Sequence, residues 1–285
     1  MQQELEFQLR HYKITAIGLG DPNKPMILAL HGWLDNAASF VPIANYLVDY
    51  YIVAIDLVGH GKSTHRSADA HYHLVDYVHD VHELVTSQKW SPFILMGHSM
   101  GGIIASLYAS TFNSNVQSLI CIESFGPMTK SATSSPEQLQ DAILSRLNSQ
   151  SAKLKPLKSL QGTVKARAMI GEMSFSSAEL LIERNLKRQD EQLVFSSDKR
   201  LRTLSSLRMT EEQAEAFMGN IQCPVLVISA IQGFEFVKQA ISDRLGWVSN
   251  IQHSSCDGFH HFHMDNPARV AEQMVNFLIG NSGIK

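Results

Sequence analysis

Cysteine is scarce in this chain. Only Cys121, Cys223 and Cys256 occur in 285 residues. They are odd in number and lack C-x-x-C spacing, so neither a disulfide framework nor a cysteine zinc site is expected, and the thiols read as reduced and mostly buried. An excess of one charge is lacking too. The formal net charge of −3 gives no electrostatic reason to expect nucleic acid or an anionic membrane as partner. No apolar run approaches the ~20 residues that span a bilayer. The start, Met1-Gln2-Gln3-Glu4-Leu5-Glu6, has neither the basic stretch nor the apolar run of a secretory signal. Motifs for metal, nucleotide or flavin are missing, and so are repeats and low-complexity tracts. The expectation is a cytoplasmic protein that needs no cofactor and acts on a small molecule.

What is present is a regular alternation. Hydrophobic residues make up 44% of the chain and charged residues 18%, enough for a sizeable core. Short apolar runs at Met26–Leu30, Tyr51–Ile55, Phe93–Met96, Leu119–Ile122 and Val225–Ile228 read as strands covered on both faces. Glu4–Arg10 and Tyr12–Ile17 read as a leading antiparallel hairpin. Helices are predicted at Phe40–Val48, Leu74–Gln88, Met100–Thr111 and Pro267–Ile279. Strand-then-helix order argues for an open α/β sheet with right-handed crossovers. The order breaks between about Pro127 and Asn220, where helices are expected at Pro136–Ser149, Ser177–Gln189 and Thr210–Met218, with a hinge at Lys153–Pro156. This block reads as a helical insertion over the carboxyl edge of the sheet, a separate second domain being the alternative. Its apolar residues Phe175, Leu180, Leu181, Ile182, Phe195 and Phe217 are candidates for packing helices or, second, for lining a pocket.

The run Phe93–Met96 leads straight into Gly97-His98-Ser99-Met100-Gly101-Gly102 and then a helical rhythm. A serine on such a strand-to-helix turn is strained and exposed at the sheet edge, small neighbours let the backbone approach, and the helix N-terminus favours developing negative charge. Ser99 is therefore the candidate nucleophile. Acyl transfer also needs two N–H groups aimed at an oxyanion. Met100, after the nucleophile, and Trp33, in His31-Gly32-Trp33 after an early strand, are the candidates. Asp56-Leu57-Val58-Gly59-His60-Gly61-Lys62-Ser63 does not have the spacing of a phosphate loop and reads as shaping the floor of the site.

Taken in order and spacing, His31-Gly32-Trp33, Asp56 with Gly59-His60-Gly61-Lys62-Ser63, Gly97–Gly102 and a C-terminal histidine segment resemble the α/β-hydrolase superfamily over nearly the whole chain. Asp198, Arg200-Leu201 and the His-rich tail resemble its serine hydrolase-like branch. The resemblance implies a mostly parallel eight-stranded sheet, with residues 1–126 and 221–285 forming the core. Residues 127–220 would form a helical cap between core strands six and seven.

The general base follows the nucleophile and acid in this fold's chain order. In Gly258-Phe259-His260-His261-Phe262-His263, the family pattern of G-x-H with Pro seven residues later selects His260. A metal cluster of His260, His261 and His263 is the alternative, and no carboxylate or cysteine motif completes it. The acid departs from the family: the turn after the seventh strand offers Ile231-Gln232-Gly233-Phe234-Glu235 with no Asp. Glu123, ending the sixth strand, resembles the acid of some haloalkane dehalogenases and of coelenterazine luciferase; Glu235 is its rival. The implied activity is carboxylic ester hydrolysis through an acyl-enzyme. Thioester, amide or C–C hydrolysis, or a ligand-binding or receptor role on the same scaffold, remain alternatives.

Overall fold

Apolar periodicity sorts the chain into alternating strands and helices in the computed structural model, which describes residues 2–150 and 156–281. The strands are β1 (Gln2–Gln8), β2 (Lys13–Leu19), β3 (Met26–Leu30), β4 (Tyr51–Ile55), β5 (Phe93–His98), β6 (Val116–Ile122), β7 (Leu186–Gln189), β8 (Gln192–Phe195), β9 (Val225–Ala230) and β10 (Ile251–Cys256). Helices α1 (Val41–Ala44), α2 (Leu74–Gln88) and α3 (Met100–Thr111) precede a group of four: α4 (Ser135–Gln150), α5 (Leu160–Ile170), α6 (Phe175–Arg184) and α7 (Glu211–Gly219). Then come α8 (Glu235–Arg244), α9 (Phe262–Asp265) and α10 (Pro267–Asn281).

Eight strands pair in the order β1-β2-β4-β3-β5-β6-β9-β10. The pairings β1–β2 and β2–β4 are antiparallel and the rest are parallel. Alternate residues feed two cores. Leu28, Leu30, Val53 and Ile55 face Val81, Leu84, Ile104 and Tyr108 of α2 and α3, whereas Ile27, Ala29, Ile52 and Ala54 face Ile43, Val270, Met274 and Phe277 of α1 and α10. That two-sided burial is why these strands read as continuous apolar runs. Each fully buried Val, Leu, Ile, Phe or Met among them contributes about 1.5–3 kcal/mol.

Several expectations are corrected by the structure. The Phe40–Val48 helix is a 3-10 turn, Ala37–Phe40, followed by α1 alone. The predicted Ser177–Gln189 helix stops at Arg184, and β7 and β8 pair as an antiparallel hairpin. The chain between β6 and β9 is therefore not purely helical. Asp190 and Glu191 at the hairpin tip have φ of 46° and 62°, the paired positive values of a type I′ turn, reached without the glycine that normally announces it. Lys153, Leu154 and Lys155 of the predicted hinge lie outside the described residues. Among the described residues, no helix is long and apolar enough to cross a membrane.

The chain leaves the sheet after β6 and returns at β9. One link between this segment and the core is a buried ion pair. Arg184, at the end of α6, puts Nη2 2.8 Å from Asp56 Oδ2 and Nη1 3.0 Å from Glu4 Oε2 of β1. The Asp56 carboxylate also accepts from the backbone N–H of Ala37 at 2.8 Å and of Lys62 at 2.9 Å. Removing one partner of a buried pair strands the other charge, at a cost of about 3–5 kcal/mol. Arg184→Ala is expected to lose that much in urea unfolding. A loss below about 1 kcal/mol, typical of a surface pair, would show that the pair does not anchor the segment.

Candidate active site

Strand register brings the motifs to one edge. Leu30 pairs with Gly97 across β3 and β5, His98 with Ile122 across β5 and β6, and Ile122 with Ile228 across β6 and β9. The residues that follow these strand ends therefore emerge side by side. Ser99 has φ 51° and ψ −120°, and its N–H donates to the Ile122 carbonyl at 2.9 Å. Left-handed φ at a non-glycine residue costs about 1–3 kcal/mol and persists only where the surroundings impose it. Part of that imposition comes from Gly101, where a Cβ would stand 1.9 Å from the Leu30 carbonyl oxygen.

Ser99, Glu123, His260 and Trp33 line one cavity of about 510 Å³. Its wall mixes sheet-edge residues with Pro127, Met128, Arg167 and Ile170 from the segment between β6 and β9. Met100 opens α3, whose first N–H groups have no partner within the helix. Trp33 is half-exposed, with its indole N–H donating to the Leu201 carbonyl at 2.8 Å.

Glu123 is buried at φ 52°. Its backbone N–H donates to the Ile228 carbonyl at 2.8 Å, and its Oε2 accepts from the Ala230 N–H at 2.5 Å. The other oxygen, Oε1, lies 4.0 Å from His260 Nδ1, beyond hydrogen-bond distance, and neither atom has a hydrogen-bond partner. Gly233 makes room for this carboxylate: a Cβ there would stand 1.9 Å from Oε1. Gln232 accepts the Gly258 N–H at 2.5 Å and donates its own backbone N–H to the Gly258 carbonyl at 3.1 Å, tying down the loop that carries His260. Glu235 stands apart, with an almost fully exposed side chain paired to Lys238 at 2.5 Å.

The other predicted positions divide. His261 Nε2 lies 3.1 Å from Asp35 Oδ2, and His263 Nε2 lies 2.8 Å from Ser39 Oγ. Among the described residues, none of Asp56–Ser63 lines the cavity, so that segment is not the floor of the site. Nor do Phe175, Leu180, Leu181, Ile182, Phe195 or Phe217 line it; Leu181 and Ile182 pack with Val164, Met173, Ala178 and Met264. Missed by the sequence reading were Asp35 and Arg167, whose Nη2 lies 2.6 Å from Asp35 Oδ1. Only the position of Asp35, two residues past Trp33, pointed to it.

The comparisons agree with the fold. A sequence model of the α/β hydrolase fold matches residues 25–267. A serine hydrolase-like protein of Dictyostelium discoideum is 32% identical over 270 residues, covering 88% of this chain and 74% of the relative. Serine hydrolase-like protein 2 of Homo sapiens is 28% identical over 296 residues, covering 96% of this chain and 93% of the relative. The crystal structure of a hypothetical protein from Pseudomonas aeruginosa PAO1 superposes with a TM-score of 0.91 at 33% identity, covering 98% of this chain and 99% of that one.

Burial holds the imidazoles of His31, His60, His98 and His263 below their ordinary value, His60 at about 3, and neighbouring histidines push His60, His98 and His263 further the same way. For Asp35, burial pushes the carboxyl up, but His261, Arg167 and His98 together outweigh it and leave it well below the usual range. The signs set the pH window. Imidazoles depressed in the folded state are neutral there, so the unfolded chain binds more protons below its pKa of about 6.5 and stability falls as pH drops. Each such group contributes a slope of up to about 1.4 kcal/mol per pH unit. The Asp35 contribution is complete throughout this range and is lost only at much lower pH. The urea midpoint is expected to fall steeply between about pH 7 and pH 5; a flat midpoint would show that these histidines are protonated in the folded state.

Proposed function

The chain belongs to the α/β hydrolase fold family, in its serine hydrolase-like branch, and on that premise we propose that it hydrolyses carboxylic esters through an acyl-enzyme on Ser99. The observation that carries this reading is that His260 Nδ1 and Glu123 Oε1, both buried and without a hydrogen-bond partner, face each other across 4.0 Å in the cavity that Ser99 also lines.

In this mechanism His260 takes the Ser99 proton as the hydroxyl attacks the ester carbonyl. The backbone N–H groups of Trp33 and Met100 receive the negative charge of the tetrahedral intermediate. His260 then gives its proton to the leaving alcohol, and water, activated by the same imidazole, releases the acid. Glu123 fixes the tautomer by accepting from Nδ1 and stabilises the imidazolium once it forms. The exposed, Lys238-paired position of Glu235 supports Glu123 over it. Residues 127–220 act as a cap on the core of 1–126 and 221–285, and the cap's contribution to the cavity wall supports that division. Esters are favoured over amides because they require least assistance to the leaving group.

Two measurements test this. A fluorophosphonate probe is expected to label the native chain and not Ser99→Ala; failure to label the native chain would favour a ligand-binding role. Turnover of a nitrophenyl ester is expected to fall about 10²-fold in Glu123→Gln, because the oxyanion hole still acts, and to stay near the native rate in Glu235→Gln. The reverse pattern would transfer the orienting role to Glu235.

A further inference from the structure

A second convergence of donor atoms lies in the cavity wall beside the Ser99–His260–Glu123 group. Asp35 Oδ2 is 3.1 Å from His261 Nε2 and 3.9 Å from His98 Nδ1, and the three donor atoms lie within 4.8 Å of one another. His98 donates from Nε2 to the His260 carbonyl at 2.9 Å, so its Nδ1 carries a lone pair. That nitrogen is wholly buried and has no hydrogen-bond partner. A lone pair facing a carboxylate oxygen is repelled by it; a cation between them makes both into ligands. Gly32 leaves the space clear, since a Cβ there would stand 3.0 Å from Asp35 Oδ2 and 3.1 Å from His98 Nδ1. Asp35 and His261 line the cavity, which provides the route in.

We propose that Asp35, His98 and His261 form a binding site for a divalent transition metal of the zinc type, whose occupation inhibits the enzyme. Two imidazole nitrogens and one carboxylate oxygen are suitable donors, and ligand distances of about 2.0–2.2 Å put the donors of a tetrahedral site about 3.4 Å apart. The separations of 3.1 Å and 3.9 Å from Asp35 Oδ2 bracket that value, and the three donors, all within 4.8 Å of one another, close on an ion by small side-chain shifts. His261 donates its Nε2 hydrogen to Asp35, so coordination moves that hydrogen to Nδ1, a buried nitrogen with no partner. The fourth position opens to the cavity.

Arg167 is the internal competitor. Its Nη2 lies 2.6 Å from Asp35 Oδ1 and 3.3 Å from His261 Nε2, so a guanidinium from α5 already neutralises the carboxylate that the metal needs. Metal entry weakens this link between α5 and the loop carrying Trp33. It also fixes His261, the neighbour of His260 in the chain, which is how binding reaches the catalytic group.

Calorimetry with zinc chloride and visible absorption with cobalt chloride test binding without measuring turnover, so the result is independent of the ester-hydrolysis reading. The native chain is expected to take a single zinc ion at this site and to give the intense visible bands of low-coordinate cobalt. His261→Ala and Asp35→Asn are expected to weaken zinc by more than about tenfold. Arg167→Met, which removes the competing cation, is expected to tighten it by about tenfold, or ~1.4 kcal/mol. Should Asp35→Asn fail to fold, the opposite shifts of the other two variants carry the test. Zinc affinity unchanged in both His261→Ala and Arg167→Met, or weakened by the latter, would overturn the site. Inhibition by zinc of nitrophenyl ester turnover, relieved in His261→Ala, is the functional arm; zinc that binds at this site without slowing turnover would overturn the inhibitory role.

Discussion

A carboxylate removed from water must find its hydrogen bonds in the protein, and Glu123 finds only part of what it needs. One oxygen is held by the Ala230 N–H, and the other faces His260 Nδ1 alone. A buried acceptor left unpaired costs about 1–3 kcal/mol, and more when charged. The imidazole of His260 is the polar group that faces this oxygen. The surrounding backbone serves this arrangement: Glu123 occupies left-handed φ, Gly233 contributes no side chain, and Gln232 fixes the His260 loop.

The histidines behind this pair form a second, differently balanced layer. His98 and His263 are buried with ring centroids 4.1 Å apart, too close and too dry for both to carry charge. Neutral imidazoles can share such a space because each nitrogen either donates or accepts. His31 shows the pattern in full: its Nε2 accepts the Leu57 N–H at 3.0 Å, so Nδ1 donates to the Gly32 carbonyl at 2.7 Å. Asp35 meets Arg167 in this layer at 2.6 Å. Asp35 follows Trp33 by two residues and contacts His261, so one ion pair touches the loop proposed to hold the oxyanion and the loop proposed to hold the base.

Local chemistry was legible in the sequence where it alone determines structure. The Ser99 elbow could be read because strand, turn and helix each leave their own signal within a dozen residues, and α2 and α3 fall on their predicted bounds for the same reason. Glu123 was proposed from position, as a carboxylate leaving the strand beside the elbow, and the structure puts it in the cavity wall with Ser99 and His260. Long-range pairings left no such trace. Arg167 meets Asp35 across 132 residues and His261 meets it across 226, and nothing near any of the three announces a partner. The β7–β8 hairpin was hidden because Asp190 and Glu191 take the positive φ values that glycine or asparagine would have signalled.

The turn after β9 explains why the carboxylate can come from one place or the other but not from both. Position 233 has no room for any side chain while Glu123 is in place, since a Cβ would meet Oε1 at 1.9 Å. Position 232 has its side chain committed to the Gly258 N–H, a bond that an aspartate, one methylene shorter, would not reach in the same backbone position. Restoring an aspartate to this turn would therefore place a second negative charge beside the first, displace the first, or release the His260 loop. Gln232, Gly233 and the buried Glu123 form one packing solution, in which the turn holds the loop at Gly258 and leaves the space beside it to Glu123.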